Sequence, residues 1–270
     1  MALRIISAFV ALPVFIITIF FLPPLYFTIA IGIICLIAVY ELLWRSKIIT
    51  DPVLFAIACV FSTFAPIWAH FGFKSQFVLP GVFVITAVLF VTWMARLKTV
   101  NFEKITAVLF GAVVVPAFLS STIGILGAEH GRLLILVPFI GAWMSDTGAY
   151  FSGTFFGKHK LAPAISPKKT VEGAVGGIVV CVASFIVYGV ILTQFSDIKV
   201  SYLILGLTGL VLSIIAEIGD LSLSLIKREY NIKDYGVIFP GHGGILDRFD
   251  SVLFTAPATL IIMGMVTLLF

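Results

Sequence analysis

Charged side chains are scarce in this chain. Asp, Glu, Lys and Arg make up 11% of its 270 residues, against 61% hydrophobic residues. Soluble domains carry about 25% charged residues, so a water-soluble globular domain is excluded, and the mean hydropathy of +1.19 identifies an integral membrane protein. Cysteine is nearly absent as well. Cys35, Cys59 and Cys181 lie inside apolar runs with no CxxC or Cys/His spacing, which excludes a disulfide framework and a thiolate metal site. No continuous basic patch exists either. The formal net charge of +4 comes from residues scattered between apolar runs, so nucleic acid is not an expected partner. There is no alternating short-strand pattern, which excludes an outer-membrane barrel. The apolar run after Arg4 ends in no small-residue cleavage site and reads as a first spanning helix.

What fills the chain is apolar segments long enough to cross a bilayer, which takes roughly 20 residues each. Nine are predicted, at about 4–22, 25–44, 53–71, 77–95, 104–127, 132–155, 171–194, 201–226 and 251–270. Pro23-Pro24 parts the first two, because proline cannot continue a helical ladder. The expected fold is therefore an all-α polytopic membrane protein. Its orientation follows from the basic residues. Of the 17 Lys and Arg, all but Lys74, Arg132 and Lys199 fall at the N-terminus or in every second loop. This places the N-terminus and the loops 156–170 and 227–250 in the cytoplasm. Residues 1–100 read as membrane scaffold and 101–270 as the catalytic half, since only the latter has helices with polar cytoplasmic ends. Glu41 is the exception in the scaffold.

The polar residues concentrate in three places. On the eighth segment Ser213, Glu217, Asp220, Ser224 and Lys227 are spaced to share one helix face. A helix contact glued by polar side chains would not need two acids and two serines, and intramembrane acids are costly and tend to be functional. The sixth segment carries Asp146, Tyr150 and Gly153 on one face, and the loop after it holds Lys168-Lys169 just before a helix start, a position suited to phosphate. Gly173 and Gly177 form a small-xxx-small pair for close helix packing. GTFFGK at 153–158 lacks the spacing and the final Ser or Thr of a P-loop.

The densest block is Ser224 to Asp250, SLIKREYNIKDYGVIFPGHGGILDRFD. Lys227, Arg228, Lys233 and Arg248 can neutralise phosphate charge, and Asp247 and Asp250 are hard oxygen ligands suited to Mg²⁺. Glycines 241, 243 and 244 let backbone amides approach an anion. His242 is open between phosphate donor, acid/base and loop-fixing roles. Cations for phosphate oxygens and acids for a magnesium are the parts needed for transfer at phosphorus.

This block resembles the signature of the CDP-diacylglycerol synthases, or phosphatidate cytidylyltransferases. Ser224, Ile226, Lys227, Arg228, Lys233, Asp234, Gly236, Phe239, Pro240, His242, Gly243, Gly244, Ile245, Asp247, Arg248 and Asp250 fill its fixed positions. Asp146 to Tyr150, Gly157-Lys158 and Ser166 to Gly173 resemble the same family, with Val171 where Trp is frequent. The resemblance implies synthesis of CDP-diacylglycerol and pyrophosphate from CTP and phosphatidic acid, in phospholipid biosynthesis at the inner (plasma) membrane, with the site facing the cytoplasm. It implies Mg²⁺, with a second, monovalent cation left open. On this reading Asp220 and Asp247 ligate the metal, with Asp146 and Glu217 as ligands or their supports. Asp220, Asp247, Lys227, Arg228 and His242 are the catalytic candidates. Lys168, Lys169, Ser224, Lys233, Gly243, Gly244 and Arg248 are the substrate-binding candidates. The acyl chains would enter from the bilayer, and a homodimer would pack through the scaffold helices. An ion-coupled transporter is the alternative; paired halves with broken helices, its usual mark, are not seen.

Overall fold

The computed structural model describes residues 13–72, 78–196, 200–238 and 243–269. Eight helices among them are long and apolar enough to span a membrane, and they fall where the apolar runs predict. They are α1 (Pro24–Arg45), α2 (Pro52–Phe71), α3 (Val78–Ala95), α4 (Phe102–Leu126), α5 (Gly131–Phe156), α6 (Val171–Phe195), α7 (Tyr202–Glu229) and α8 (Leu246–Leu269). The ninth predicted segment, 4–22, lies mostly outside the described residues. The protein is a polytopic all-α membrane protein.

Local chemistry sets the helix ends. Asp51 caps α2, accepting from the Val53 and Leu54 amides, with Pro52 in the first turn where its missing N–H costs nothing. Asn101 caps α4 and Thr170 caps α6 by the same means. Two helices widen into π-helical turns, Tyr40–Arg45 at the end of α1 and Phe110–Val114 within α4. The second precedes Pro116, whose ring would otherwise meet the carbonyl one turn back.

Two departures from expectation bear on the site. Loop 156–170 contains a two-stranded antiparallel hairpin, β1 (Lys160–Ala162) and β2 (Ser166–Thr170). The last helix begins at Leu246, five residues before the apolar run, so Asp247 and Asp250 stand at its N-terminal end and not in a loop. Acids are favoured there because the helix N-terminus is electropositive.

The chain forms two compact units that divide differently from the composition boundary at residue 100. One comprises 1–132 with 230–249, the other 133–229 with 250–270. In the first unit α1, α2 and α4 pack around Ile31, Cys35, Ala38, Leu42, Leu54, Val115 and Leu119. In the second, α5, α6 and α7 pack around Val137, Cys181, Phe185, Tyr188, Leu192 and Leu212. Gly173 and Gly177 do what small-xxx-small spacing requires. A Cβ on them would come within 2.9 Å of the Ala149 carbonyl and 2.8 Å of the Ser145 carbonyl, so α5 and α6 touch backbone to backbone.

Candidate active site

In the second unit the polar face of α7 meets β2. Thr170 is the N-cap of α6, its Oγ1 accepting from the Gly173 amide at 3.1 Å, and that cap fixes where the strand before it ends. Lys169, one residue earlier, extends its ammonium between two α7 carboxylates. It lies 2.7 Å from Glu217 Oε1 and 2.6 Å from Asp220 Oδ2, with all three side chains 18–24% exposed. Burial works against the charged ammonium, but Asp220 and then Glu217 outweigh it and hold the Lys169 pKa above the ordinary lysine value of 10.5. Ser224, one turn along α7, donates to Asp220 Oδ1 at 3.2 Å. Arg228, a turn further on, donates from Nε to the Ile165 carbonyl at 2.9 Å and so ties the hairpin tip to α7.

Two more acids join this cluster. Asp146 on α5 lies within electrostatic reach of Asp220, Lys169 and Glu217, and accepts from Ser251 Oγ at 3.4 Å. Asp250 on α8 lies within electrostatic reach of Asp220, Lys227 and Asp146. The hairpin is held from its other side by Glu172. That carboxylate accepts from the Lys158 amide at 3.0 Å and the His159 amide at 3.1 Å, and pairs with His159 Nδ1 at 2.6 Å.

The sequence-predicted residues thus separate into two groups. The second unit gathers Asp146, Lys169, Glu217, Asp220, Ser224 and the buried Lys227, with Lys168 on the hairpin and Arg228 on α7 both exposed. The first unit holds exposed Lys233 and Arg248 together with Gly243, Gly244 and Asp247. There Asp247 Oδ2 accepts from the Tyr235 amide at 2.8 Å and the Gly244 amide at 2.9 Å, closing the loop before α8 onto itself. Gly243 turns that loop with φ of +82°, a left-handed backbone that glycine adopts without strain. The amide of Gly244, expected to face a substrate anion, is given to Asp247. His242 lies outside the described residues.

Asp250, noted from sequence as an oxygen ligand suited to Mg²⁺ but not carried into the metal assignment, is a member of the cluster. Its signal is there to be read: it closes the signature three positions after Asp247, a helical spacing. In a loop that spacing defines no face; at the start of α8 it does.

The donor set suits a hard divalent cation. Among the described residues the second-unit cluster offers oxygen donors, the carboxylates of Asp146, Glu217, Asp220 and Asp250 with the hydroxyls of Ser224 and Ser251 beside them, and these four acids outnumber Lys169 and Lys227. Lys169 already places a positive charge between Glu217 and Asp220. Among the described residues no three His, Cys, Asp or Glu side chains stand close enough to share an ion. An ion would therefore have to draw the carboxylates together, and the donor chemistry rather than a preformed cage makes the fit.

The family comparison agrees with this chemistry. A model of the cytidylyltransferase family matches residues 2–266. The phosphatidate cytidylyltransferase of Bacillus subtilis (strain 168) is 34% identical over 235 residues, 86% of each chain. Those of Staphylococcus haemolyticus (strain JCSC1435) and Staphylococcus aureus (strain COL) are 45% and 46% identical over 135 and 136 residues, half of each chain.

Proposed function

Because this chain belongs to the cytidylyltransferase family, we propose that it joins the cytidylyl group of CTP to phosphatidic acid, making CDP-diacylglycerol and releasing pyrophosphate. The observation that carries this reading is a cationic side chain, Lys169, set between Glu217 and Asp220 of a membrane helix, with Asp146 and Asp250 within electrostatic reach of the cluster. Carboxylates at that depth are costly unless cations share their pocket.

The reaction asks little acid–base chemistry of the protein. The phosphate of phosphatidic acid is an anion near neutral pH and attacks the α-phosphorus of CTP itself. One P–O bond forms to the lipid phosphate, one breaks to the leaving pyrophosphate, and no proton need be abstracted. The protein's work is to bring two anions together and to hold charge where it develops on the leaving group. Mg²⁺ held by Asp220 with Asp146, Glu217 or Asp250 would supply positive charge to the triphosphate oxygens, and Asp247 is a candidate ligand in its own right on the first unit. Lys169 keeps Glu217 and Asp220 from repelling one another before substrate arrives. Lys168, Lys227, Arg228 and Arg248 are assigned to the phosphates of the two substrates, and Lys233 to the same role from the loop before α8. Ser224 orients Asp220 through its hydroxyl, and Arg228 holds the hairpin that carries Lys169.

The site faces the cytoplasm of the plasma membrane, the side on which the basic residues accumulate, and takes the diacylglycerol chains sideways from the bilayer. A homodimer through the scaffold helices is part of the same proposal. The deciding experiment uses purified protein with radiolabelled CTP, phosphatidic acid and Mg²⁺, scored for a lipid-extractable cytidylate. Label that stays in the aqueous phase, with the protein folded, would end the proposal; ion flux in liposomes without CTP would instead favour a transporter.

A further inference from the structure

Glu41 is the only acid in α1, and its side chain is fully buried, 0% exposed, in the first unit. A carboxylate placed there needs partners that repay its lost hydration. Its partners are more than 200 residues away in the chain: Oε1 accepts from the Ile245 amide at 3.1 Å and Oε2 from the Leu246 amide at 2.9 Å. Leu246 is the first residue of α8, so the carboxylate caps that helix from another element, where the unsatisfied amides and the helix dipole favour an anion.

Three further features are arranged around this contact. Glu41 sits in the π-helical turn Tyr40–Arg45, and such turns occur frequently at functional sites. A Cβ on either Gly236 or Gly244 would overlap the Glu41 carboxyl. Both are fixed small positions of the signature block, and the room they leave is filled by this side chain. Finally, Asp247 takes two neighbouring amides that Glu41 does not, those of Tyr235 and Gly244. Glu41 and Asp247 together satisfy four backbone amides around the start of α8, and the pair fixes its first turn.

We propose that Glu41 is a positioning residue for the transfer reaction: it clamps the segment Gly244–Leu246 and so sets the presentation of Asp247 and Arg248 on the first turn of α8. The proposal rests on the cytidylyltransferase reading for its reaction, and on the two amide contacts for its geometry. A carboxylate is required because both oxygens accept; the amide of glutamine has one acceptor oxygen and turns donors toward the second N–H. Glu41→Gln is nearly isosteric, so it removes the clamp without leaving a cavity.

The test uses full-length protein in nanodiscs. Hydrogen exchange followed by mass spectrometry reads the peptide spanning 243–247, and steady-state cytidylyl transfer is measured in parallel. In E41Q, exchange at that peptide rises at least about tenfold while peptides of α5–α7 keep their rates. In the same variant kcat falls about 10- to 100-fold with KM for CTP changed less than about threefold, the split expected when aligned groups are misplaced rather than binding lost. Glu41→Asp, which keeps the charge but is one methylene short, recovers part of kcat. Should E41Q fail to fold, Gly236→Ala asks the same question by forcing the carboxyl aside, with the same rise in exchange and fall in kcat expected. Wild-type kcat or unchanged exchange in the folded variant overturns the proposal, as does a uniform rise in exchange over the whole chain. Absence of lipid-linked cytidylate from the unsubstituted protein sinks the reaction instead, and exchange at 243–247 still judges the clamp by itself.

Discussion

At the scale of single residues, the site depends on how few cations face how many acids. Lys169→Met leaves Glu217 and Asp220 without their shared partner. The pair lies between the exposed regime of about 0–1 kcal/mol and the buried regime of about 3–5 kcal/mol, so a loss of about 2 kcal/mol is expected in chemical denaturation. Transfer activity should fall at least about 100-fold, equivalent to about 2.7 kcal/mol. Asp220→Ala and Asp250→Asn should each reduce kcat by a similar factor and weaken the response to added Mg²⁺; either retaining wild-type turnover while folded would remove that residue from the metal assignment. A second residue-scale prediction concerns pH. Asp51 pairs with Arg96 at 2.8 Å. Partial burial raises its pKa, but the Arg96 hydrogen bond and the Val53 and Leu54 amides more than offset this and hold it below 3.8. A group so depressed stabilises the fold above its ordinary pKa, and the contribution is lost as pH falls through the lower folded value. Asp51→Asn should therefore be less stable than the parent near pH 7, by about 0.5–1 kcal/mol, and the gap should close in acid. Lys169 has the opposite sign: its contribution is complete below pH 10.5 and is lost only as pH rises through a still higher value.

At the scale of elements, the site stands where helix ends meet polar chain. Thr170 ends β2 and starts α6, so Thr170→Ala should cost about 1 kcal/mol through the lost cap and should loosen Lys169 as well, visible as a larger loss of turnover than of stability. The α5–α6 contact leaves no room for side chains at Gly173 and Gly177. Gly177→Leu should separate the helices and cost about 1–3 kcal/mol by overpacking, read as a lowered unfolding midpoint with Asp146 displaced from Asp220. Among the described residues the apolar runs locate eight helices to within a few residues at all but one end, because length and hydropathy alone decide which runs can span a bilayer. They misplace the start of α8, since Leu246–Asp250 is polar enough to read as loop. What starts the helix there is a set of backbone amides satisfied by acids, one of them from α1.

At the scale of the whole molecule, the bias of Lys and Arg predicts which loops face the cytoplasm. Single cysteines at 98 and at 160 should be labelled by a membrane-impermeant maleimide only after permeabilisation, and a cysteine at 129 without it. The reverse pattern would invert the orientation and with it the side from which CTP arrives. The resemblance of Ser224–Asp250 to the cytidylyltransferase signature makes the family legible without coordinates, because so many polar identities in an apolar chain do not coincide by chance. Composition, span positions and the identity of the chemistry were likewise determined by the sequence alone: each depends on local residue type, which needs no knowledge of what lies nearby in space. Which acids meet which cations was decided only by the tertiary structure. Lys169 reaches Glu217 and Asp220 across 48 and 51 residues of chain, and Glu41 reaches Ile245 across 204. Contacts at those separations depend on how helices pack, and hydropathy patterns carry no record of which faces will meet.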